Sequence, residues 1–302
     1  MFRHILLPLD GSRLAESALP AAVGLSQSLH ASVTLLHVIE KGAPEEIHGE
    51  KHLVREQEAL EYLQMIAVTY FSGSDVKTHV HTQEVDHVGM SIIEHSAEFD
   101  YDLIIMCSHG HGGLRKAITG SIAQYIIGRG KIPVLLIQPG EGGKTAAQIS
   151  KVLVALDSKP EHESGLALTL DLAKALGASV HLVHVIPDLT KLAEIRAEAG
   201  RVLPAAAQVM MEMNEAGGRE YLIAKSAVLV DAGITTSYEI RHGDTARQII
   251  QAADAYQADV IVLATHGKAG IQAFWSGSVA PKVANLTHSP LLLAPVVTPP
   301  QS

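Results

Sequence analysis

The sequence predicts an α/β fold built twice: two flavodoxin-like domains in tandem, each a parallel sheet of five strands in the order 3-2-1-4-5 with helices on both faces. Three observations carry that expectation. First, the chain repeats itself. DLIIMCSHGHGGLRKAITGSIA (102–123) aligns without gaps on DVIVLATHGKAGIQAFWSGSVA (259–280), with identities that include Asp102/Asp259, Gly110/Gly267, Gly120/Gly277 and Ser121/Ser278. LSQSLHASVTLLHVI (25–39) aligns likewise on LAKALGASVHLVHVI (172–186), and HILLPLDGS on KVLVALDSK, which sets Asp10 against Asp157. A period this long is a duplicated domain, not a solenoid. Second, strand-like and helix-like stretches alternate, the pattern of a parallel sheet with right-handed crossovers. Third, LIIM and VIVL are unbroken apolar runs, which suit strands covered on both faces.

In the first copy, residues 3–9 read as strand one, ending at Asp10. Ser12 is placed to cap a helix running to about Ser28, and Pro20 should disturb that helix because it has no N–H to donate. Strand two is 32–39, GAPEEIHGE is a loop, and a helix covers 51–71. Strand three is 75–83, where VKTHVHT alternates; a helix at 88–98, strand four at 102–107, a helix from 120 and strand five at 133–137 complete the unit. PGEGGKTAAQIS (139–150) has linker composition, dividing a domain at 1–140 from one at 150–302. The second copy repeats the order: strand one at 151–156, a helix at 161–176 closed by Gly177, and strand two at 179–186. The longer stretch 188–232 reads as two helices split near Gly217-Gly218. Strand three at 235–241, a helix at 244–256, strand four at 259–264 and strand five at 291–295 follow, with TPPQS as a frayed tail.

Hydrophobic residues make up 47% of the 302 and charged residues 18%, enough for two sizeable cores, and the 4% of aromatics makes those cores aliphatic. A net charge of −9 argues against a nucleic-acid partner. The single cysteine, Cys107, leaves no internal disulfide framework and fits a reducing compartment. The apolar run at the N-terminus stops at Pro8 and Asp10, too short for a signal sequence or a membrane span. The expectation is a cytoplasmic protein without membrane insertion.

Ligands of open α/β sheets bind outside the carboxyl ends of the strands, where the strand order reverses. Strands one and four flank that point. Asp10 and Asp157 end strand one, and glycine-bearing loops follow Cys107 and Ala264 at the end of strand four. Glycine lets backbone approach an anion closely, and a helix N-terminus offers it free N–H groups. Each feature also has a plainer reading, since aspartate and Gly-Ser both cap helices. The joint spacing, present in both copies, favours a ligand. Arg115, Lys116 and Lys268 read as exposed loop cations, His37 and His184 as core or edge histidines of strand two, and Cys107 as a small buried residue. His79 and His81 share a strand face and His109 and His111 flank Gly110, but no cysteine or carboxylate completes a set around either pair, so no metal is expected. No GxxxxGK[ST], GxSxG or HExxH motif occurs, and no catalytic residue is assigned.

Both copies resemble the universal stress protein family, whose nucleotide-binding members carry G-x2-G-x9-G-[ST] after strand four and an aspartate after strand one. Here the motif runs Cys107-Ser-His-Gly110, nine residues, Gly120-Ser121, and again Ala264-Thr-His-Gly267, nine residues, Gly277-Ser278. The resemblance covers nearly the whole chain, twice. It implies an adenine nucleotide alpha hydrolase-like version of the fold, and ATP or another adenine nucleotide as ligand, with or without Mg. Asp10 and Asp157 would hydrogen-bond the adenine or ribose side, and the backbones of Leu9, Leu156, Val38 and Val185 would line the adenine. Gly110, Gly120, Ser121, Gly267, Gly277 and Ser278 would hold the phosphates, with Ile122 and Val279 next to them. The motif's first glycine is replaced by Cys107 and Ala264, whose Cβ atoms crowd that point; both belong to the implied sites. The second copy also keeps Gly243-Asp244 after strand three, a turn usual in the family, where the first has Asp86, so the second site ranks as the closer match. Fifth strands pair across a dimer in this family. PVLLIQP and PLLLAPV are therefore expected to pair within the chain as a pseudo-dimer, which stands alone or forms a homodimer. The implied role is a stress-response sensor or regulator acting on protein partners that the sequence does not identify. Two further readings stand beside it: an interaction scaffold with empty pockets, and a slow ATP-hydrolysing or nucleotide-transforming enzyme.

Overall fold

A computed structural model of the chain describes residues 1–43, 46–47, 50–108, 120–139, 145–187, 204–265 and 279–296. The first half runs β1 (His4–Pro8), α1 (Arg13–Glu16), α2 (Leu19–Leu29), β2 (Ser32–Glu40), β3 (Glu46–Ile47), β4 (Glu50–Lys51), α3 (Glu56–Tyr70), β5 (Val76–Val85), α4 (Val88–Glu98), β6 (Leu103–Cys107), α5 (Ser121–Arg129) and β7 (Val134–Ile137). The second runs β8 (Lys151–Leu156), a 3-10 turn at Pro160–His162, α6 (Ser164–Leu176), β9 (Ser179–Ile186), α7 (Pro204–Asp231), β10 (Thr236–His242), α8 (Thr245–Tyr256), β11 (Val260–Thr265), α9 (Val279–Leu286) and β12 (Leu291–Pro295).

The main sheet has ten strands in the order β10-β9-β8-β11-β12-β7-β6-β1-β2-β5. Each half therefore follows the 3-2-1-4-5 order, parallel throughout, and the two meet where β12 and β7 pair antiparallel. That seam sets Leu291 against Leu136, Leu292 against Leu135 and Leu293 against Val134. All are buried, so PVLLIQP and PLLLAPV bury each other within one chain. Successive side chains of a strand take opposite faces. Leu6 accordingly joins one core cluster and Leu7 the other, and each cluster runs through both halves.

Local chemistry explains most element ends. Ser12 Oγ accepts from Ala15 N at 3.1 Å and caps α1. The helix expected to run on to Ser28 stops at Glu16 and restarts at Leu19. Pro20 sits at the start of α2, where its missing N–H costs nothing. Gly177 ends α6 at φ +64°. Asp244 caps α8 by accepting from Arg247 N, and Gly243 precedes it at φ +124°. The first half has His87 at the corresponding cap, with no side-chain bond. A two-stranded hairpin, β3/β4, occupies the segment read as a loop and delays α3 to Glu56.

A further expectation is corrected. Gly217 and Gly218 do not split two helices; both lie inside α7, which is 28 residues long. Gly218 serves contact rather than a turn. A Cβ there would fall 2.8 Å from Cδ2 of His184, whose ring is fixed by an Nδ1 bond to Leu156 O at 2.8 Å. Gly24 works the same way: a Cβ on it would fall 1.8 Å from Ala147 O, so α2 can lie against the segment entering the second half only because it is bare.

Asp102 and Asp259, identical in the repeat, act at the end of the sheet away from the strand carboxyl ends. Asp102 accepts from Arg3 N and His4 N, and Asp259 Oδ2 accepts from Ser150 N, Ser150 Oγ and Lys151 N at 2.8–2.9 Å. Each ties the start of its half's first strand to the fourth. Asp259→Ala should lower stability by about 1–3 kcal/mol, the worth of hydrogen bonds to a charged acceptor. Urea unfolding would register this as a lower midpoint at unchanged slope. An unchanged midpoint would show that these bonds contribute nothing net.

Candidate functional site

Two clefts open at the carboxyl ends of the strands, one in each half. The first, about 290 Å³, lies where β1 and β6 diverge, and the second, about 320 Å³, lies between β8 and β11. Their walls correspond position by position. Leu9, Asp10, Val38 and Cys107 line the first as Leu156, Asp157, Val185 and Ala264 line the second. Ile122 of α5 is matched by Val279 of α9. The helix after strand three carries no motif in the sequence, yet it forms a wall of each cleft: Val88 and Ile92 from α4, Thr245 and Ile249 from α8. Met106 and Leu263 were missed too. Nothing in their local sequence separates these residues, all apolar but Thr245, from ordinary helix and strand positions; only the packing of helix over strand end does.

Neither aspartate is itself a helix cap. Asp10 Oδ1 accepts from Ser12 N at 2.9 Å and Ser12 Oγ at 2.6 Å, fixing the turn while Ser12 does the capping. Asp157 Oδ1 accepts from Lys159 N at 3.2 Å, and its Oδ2 lies 2.5 Å from His162 Nδ1 and 3.9 Å from Lys159 Nζ. Lys159 and His162 also line the second cleft. Their signal was legible: both follow Asp157 within LDSKPEH. The first cleft instead presents Ser12, Glu40, His37 and His52.

His37 and His184 are satisfied strand histidines. Each bonds through Nδ1, at 2.8 Å, to the carbonyl preceding the aspartate, Leu9 O or Leu156 O. His37 also bonds Leu53 O through Nε2 at 2.8 Å, tying the strand end to the segment before α3.

Gly120 leads into α5 in an extended conformation, and the exposed Ser121 is the helix's first residue. No side chain among the described residues caps α5, which starts beside Ile122. Gly120 and Ser121 are not themselves walls of the cleft. Gly110, Gly267, Gly277 and Ser278, with Arg115, Lys116, Lys268, His109 and His111, lie outside the described residues.

Cys107 is buried, and burial pushes its thiol up to about 11, with the Asp10 charge adding and a hydrogen bond from Ser17 opposing. The thiol is protonated at neutral pH, and the thiolate is the reactive form. Iodoacetamide at pH 8 should therefore label Cys107 in urea-unfolded protein and leave the native chain unlabelled. Equal labelling rates in the two states would contradict that burial.

The chain is similar to known proteins along nearly its whole length. The model of the universal stress protein family matches residues 1–138 and again 148–295. A universal stress protein of Mycolicibacterium smegmatis is 22% identical over 307 residues, covering 96% of each chain. Another, from Mycobacterium tuberculosis, is 23% identical over 223 residues, covering 74% of this chain and 71% of that protein. Among solved structures, a universal stress protein from Archaeoglobus fulgidus superposes with a TM-score of 0.70 at 19% identity, covering 97% of this chain and 98% of that one.

Proposed function

The chain belongs to the universal stress protein family, and from that premise we propose that it binds ATP or another adenine nucleotide in one or both clefts and reports the occupied state to protein partners as a stress-response regulator. The observation that carries this reading is the pairing of the clefts: an aspartate at the end of the first strand faces apolar walls in each half. A base needs flat apolar walls, a ribose needs an acceptor, and a phosphate needs backbone donors at a helix start. In the first half these would be Val38 and Leu9, then Asp10, then Gly110, Gly120 and Ser121. In the second they would be Val185 and Leu156, then Asp157, then Gly267, Gly277 and Ser278, with or without Mg. Cys107 and Ala264 narrow the floor, and Ile122 and Val279 flank the phosphate end.

The second cleft ranks first for occupancy, because Lys159 and His162 bring nitrogen donors to it. Residues 1–140 and 150–302 would each form one nucleotide-binding unit. No helix among the described residues is long and apolar enough to cross a membrane, and we assign the protein to the cytoplasm. Equilibrium binding of labelled ATP, ADP and AMP to protein stripped of nucleotide tests the proposal. Saturable binding with competition by unlabelled adenine nucleotide supports it. No binding at millimolar nucleotide would leave an interaction scaffold instead. Hydrolysis faster than about 0.01 per second, still below the ordinary enzyme range, would turn the reading to an enzyme.

A further inference from the structure

We propose that His79, His81 and His95 form a binding site for a divalent transition cation of the zinc class. One ligand nitrogen from each, among the described residues, lies within 4.8 Å of the other two. His79 and His81 are two apart on β5, so the strand's alternation turns both to one face. The third ligand comes from α4, which packs over that face: His95 is buried, with ring centroids 5.1 Å from His79 and 4.8 Å from His81. A strand pair had no visible third partner in the sequence; the crossover helix supplies it.

The hydrogen bonds prepare the site. His95 Nδ1 lies 3.0 Å from Ser91 O, and a carbonyl only accepts, so Nδ1 carries the proton and Nε2 offers its lone pair. That orientation, with the far nitrogen bonded to a carbonyl, is the usual support of a metal-bound imidazole. The lone pair points at His79 Nε2, 3.1 Å away, which donates its proton to it in the metal-free state. A cation would replace that proton, and His79 would keep its other tautomer, protonated at Nδ1. Two nitrogens each about 2.0–2.1 Å from a tetrahedral zinc ion stand roughly 3.3 Å apart, so the separation of this pair already fits, and each ring turns to aim its lone pair off the line between the two nitrogens. His81 must swing inward, and its partial exposure permits that.

Charge favours the site as well. Glu94 and Glu98 add negative charge next to His81, and Glu98 next to His79. An all-imidazole set suits zinc, cobalt, nickel or copper over calcium or magnesium, and three protein ligands leave one position open.

Among the described residues, the second half shows the same sheet face without such a set of histidines. Leu36 and Val38 correspond to Val183 and Val185 in the repeat; their edge-strand partners are His79 and His81 in one half, Glu239 and Arg241 in the other. Arg241 Nε bonds Glu239 Oε1 at 2.8 Å, and His181 Nε2 adds a contact at 3.2 Å. Burial alone would raise Glu239, but those bonds outweigh it and hold the carboxyl below its ordinary range. The position of His95 holds Ala252. A fold that needs only to close this face does so with an ion pair and an alanine; three convergent imidazoles are a different solution.

The test is titration of untagged, chelator-treated protein with zinc chloride by calorimetry, and with cobalt chloride followed by visible absorption. The wild type should bind one equivalent per chain at this site, with tetrahedral cobalt bands and a raised Tm. His81→Ala and His95→Ala should each weaken zinc by at least the roughly 10–100-fold that loss of a supporting partner costs. His288→Ala, a change at an exposed histidine elsewhere, should bind as the wild type does. If His95→Ala does not fold, His81→Ala carries the test alone, since its side chain is only partly buried. Equal zinc affinity in wild type and His81→Ala, or no saturation by a roughly tenfold molar excess of zinc, overturns the proposal.

Discussion

Leu292→Asp should leave the chain without its native cooperative fold. Leu292 faces Leu135 across the antiparallel seam, and the two are 2% and 1% exposed. Truncating a buried leucine to alanine costs about 2–5 kcal/mol. A carboxylate at that point adds the cost of a buried charge with no partner. Since a folded domain holds only about 5–15 kcal/mol in all, the combined loss consumes most of it. Leu292→Ala is the graded companion and should lose the smaller amount. Denaturant unfolding followed by far-UV circular dichroism reads both. Because each half keeps a complete five-stranded sheet of its own, a weakened seam should also split one transition into two. A Leu292→Asp protein that unfolds in one transition within about 1 kcal/mol of wild type would contradict the buried seam.

The second large effect is on binding. Val38 and Val185 are 7% and 9% exposed and stand at matching places in the two cleft walls. Tryptophan at either position is compatible with a β-strand, and its ring has the cleft to enter. The double variant Val38→Trp/Val185→Trp should weaken adenine nucleotide binding by about 100-fold or more, which is about 2.8 kcal/mol. The single variants tell one site from two. If both clefts fill, each single variant halves the stoichiometry and leaves the remaining affinity intact. If only the second fills, Val185→Trp alone removes binding. Unchanged affinity and stoichiometry in the double variant, with native circular dichroism, would mean that nucleotide sits elsewhere.

Much of this protein was legible before any coordinates. LIIM and VIVL declared buried parallel strands; Asp244 and Gly177 declared helix ends; the repeat declared that the two halves share one fold. These signals are local, because strand alternation, capping and turn chemistry depend on residues within a few positions of one another. Asp10 and Cys107 could be brought to one cleft because strand order in this fold class sets which strand ends lie side by side.

What stayed hidden depends on distances through space. Gly217-Gly218 reads as a break, but the neighbour that decides is His184, on another strand. Val88, Ile92, Thr245 and Ile249 look like any core-facing helix residues until their helices are laid over the strand ends. His79 and His81 looked like an incomplete pair, because the ligand that completes them lies on the following helix and shows no fixed spacing to them. The sequence alone thus determined the alternation of sheet strands and helices, the duplication and the end of the sheet where a ligand is expected. Only the tertiary structure decided which side chains meet there, because helix-to-sheet packing brings together residues whose separation along the chain carries no periodic mark.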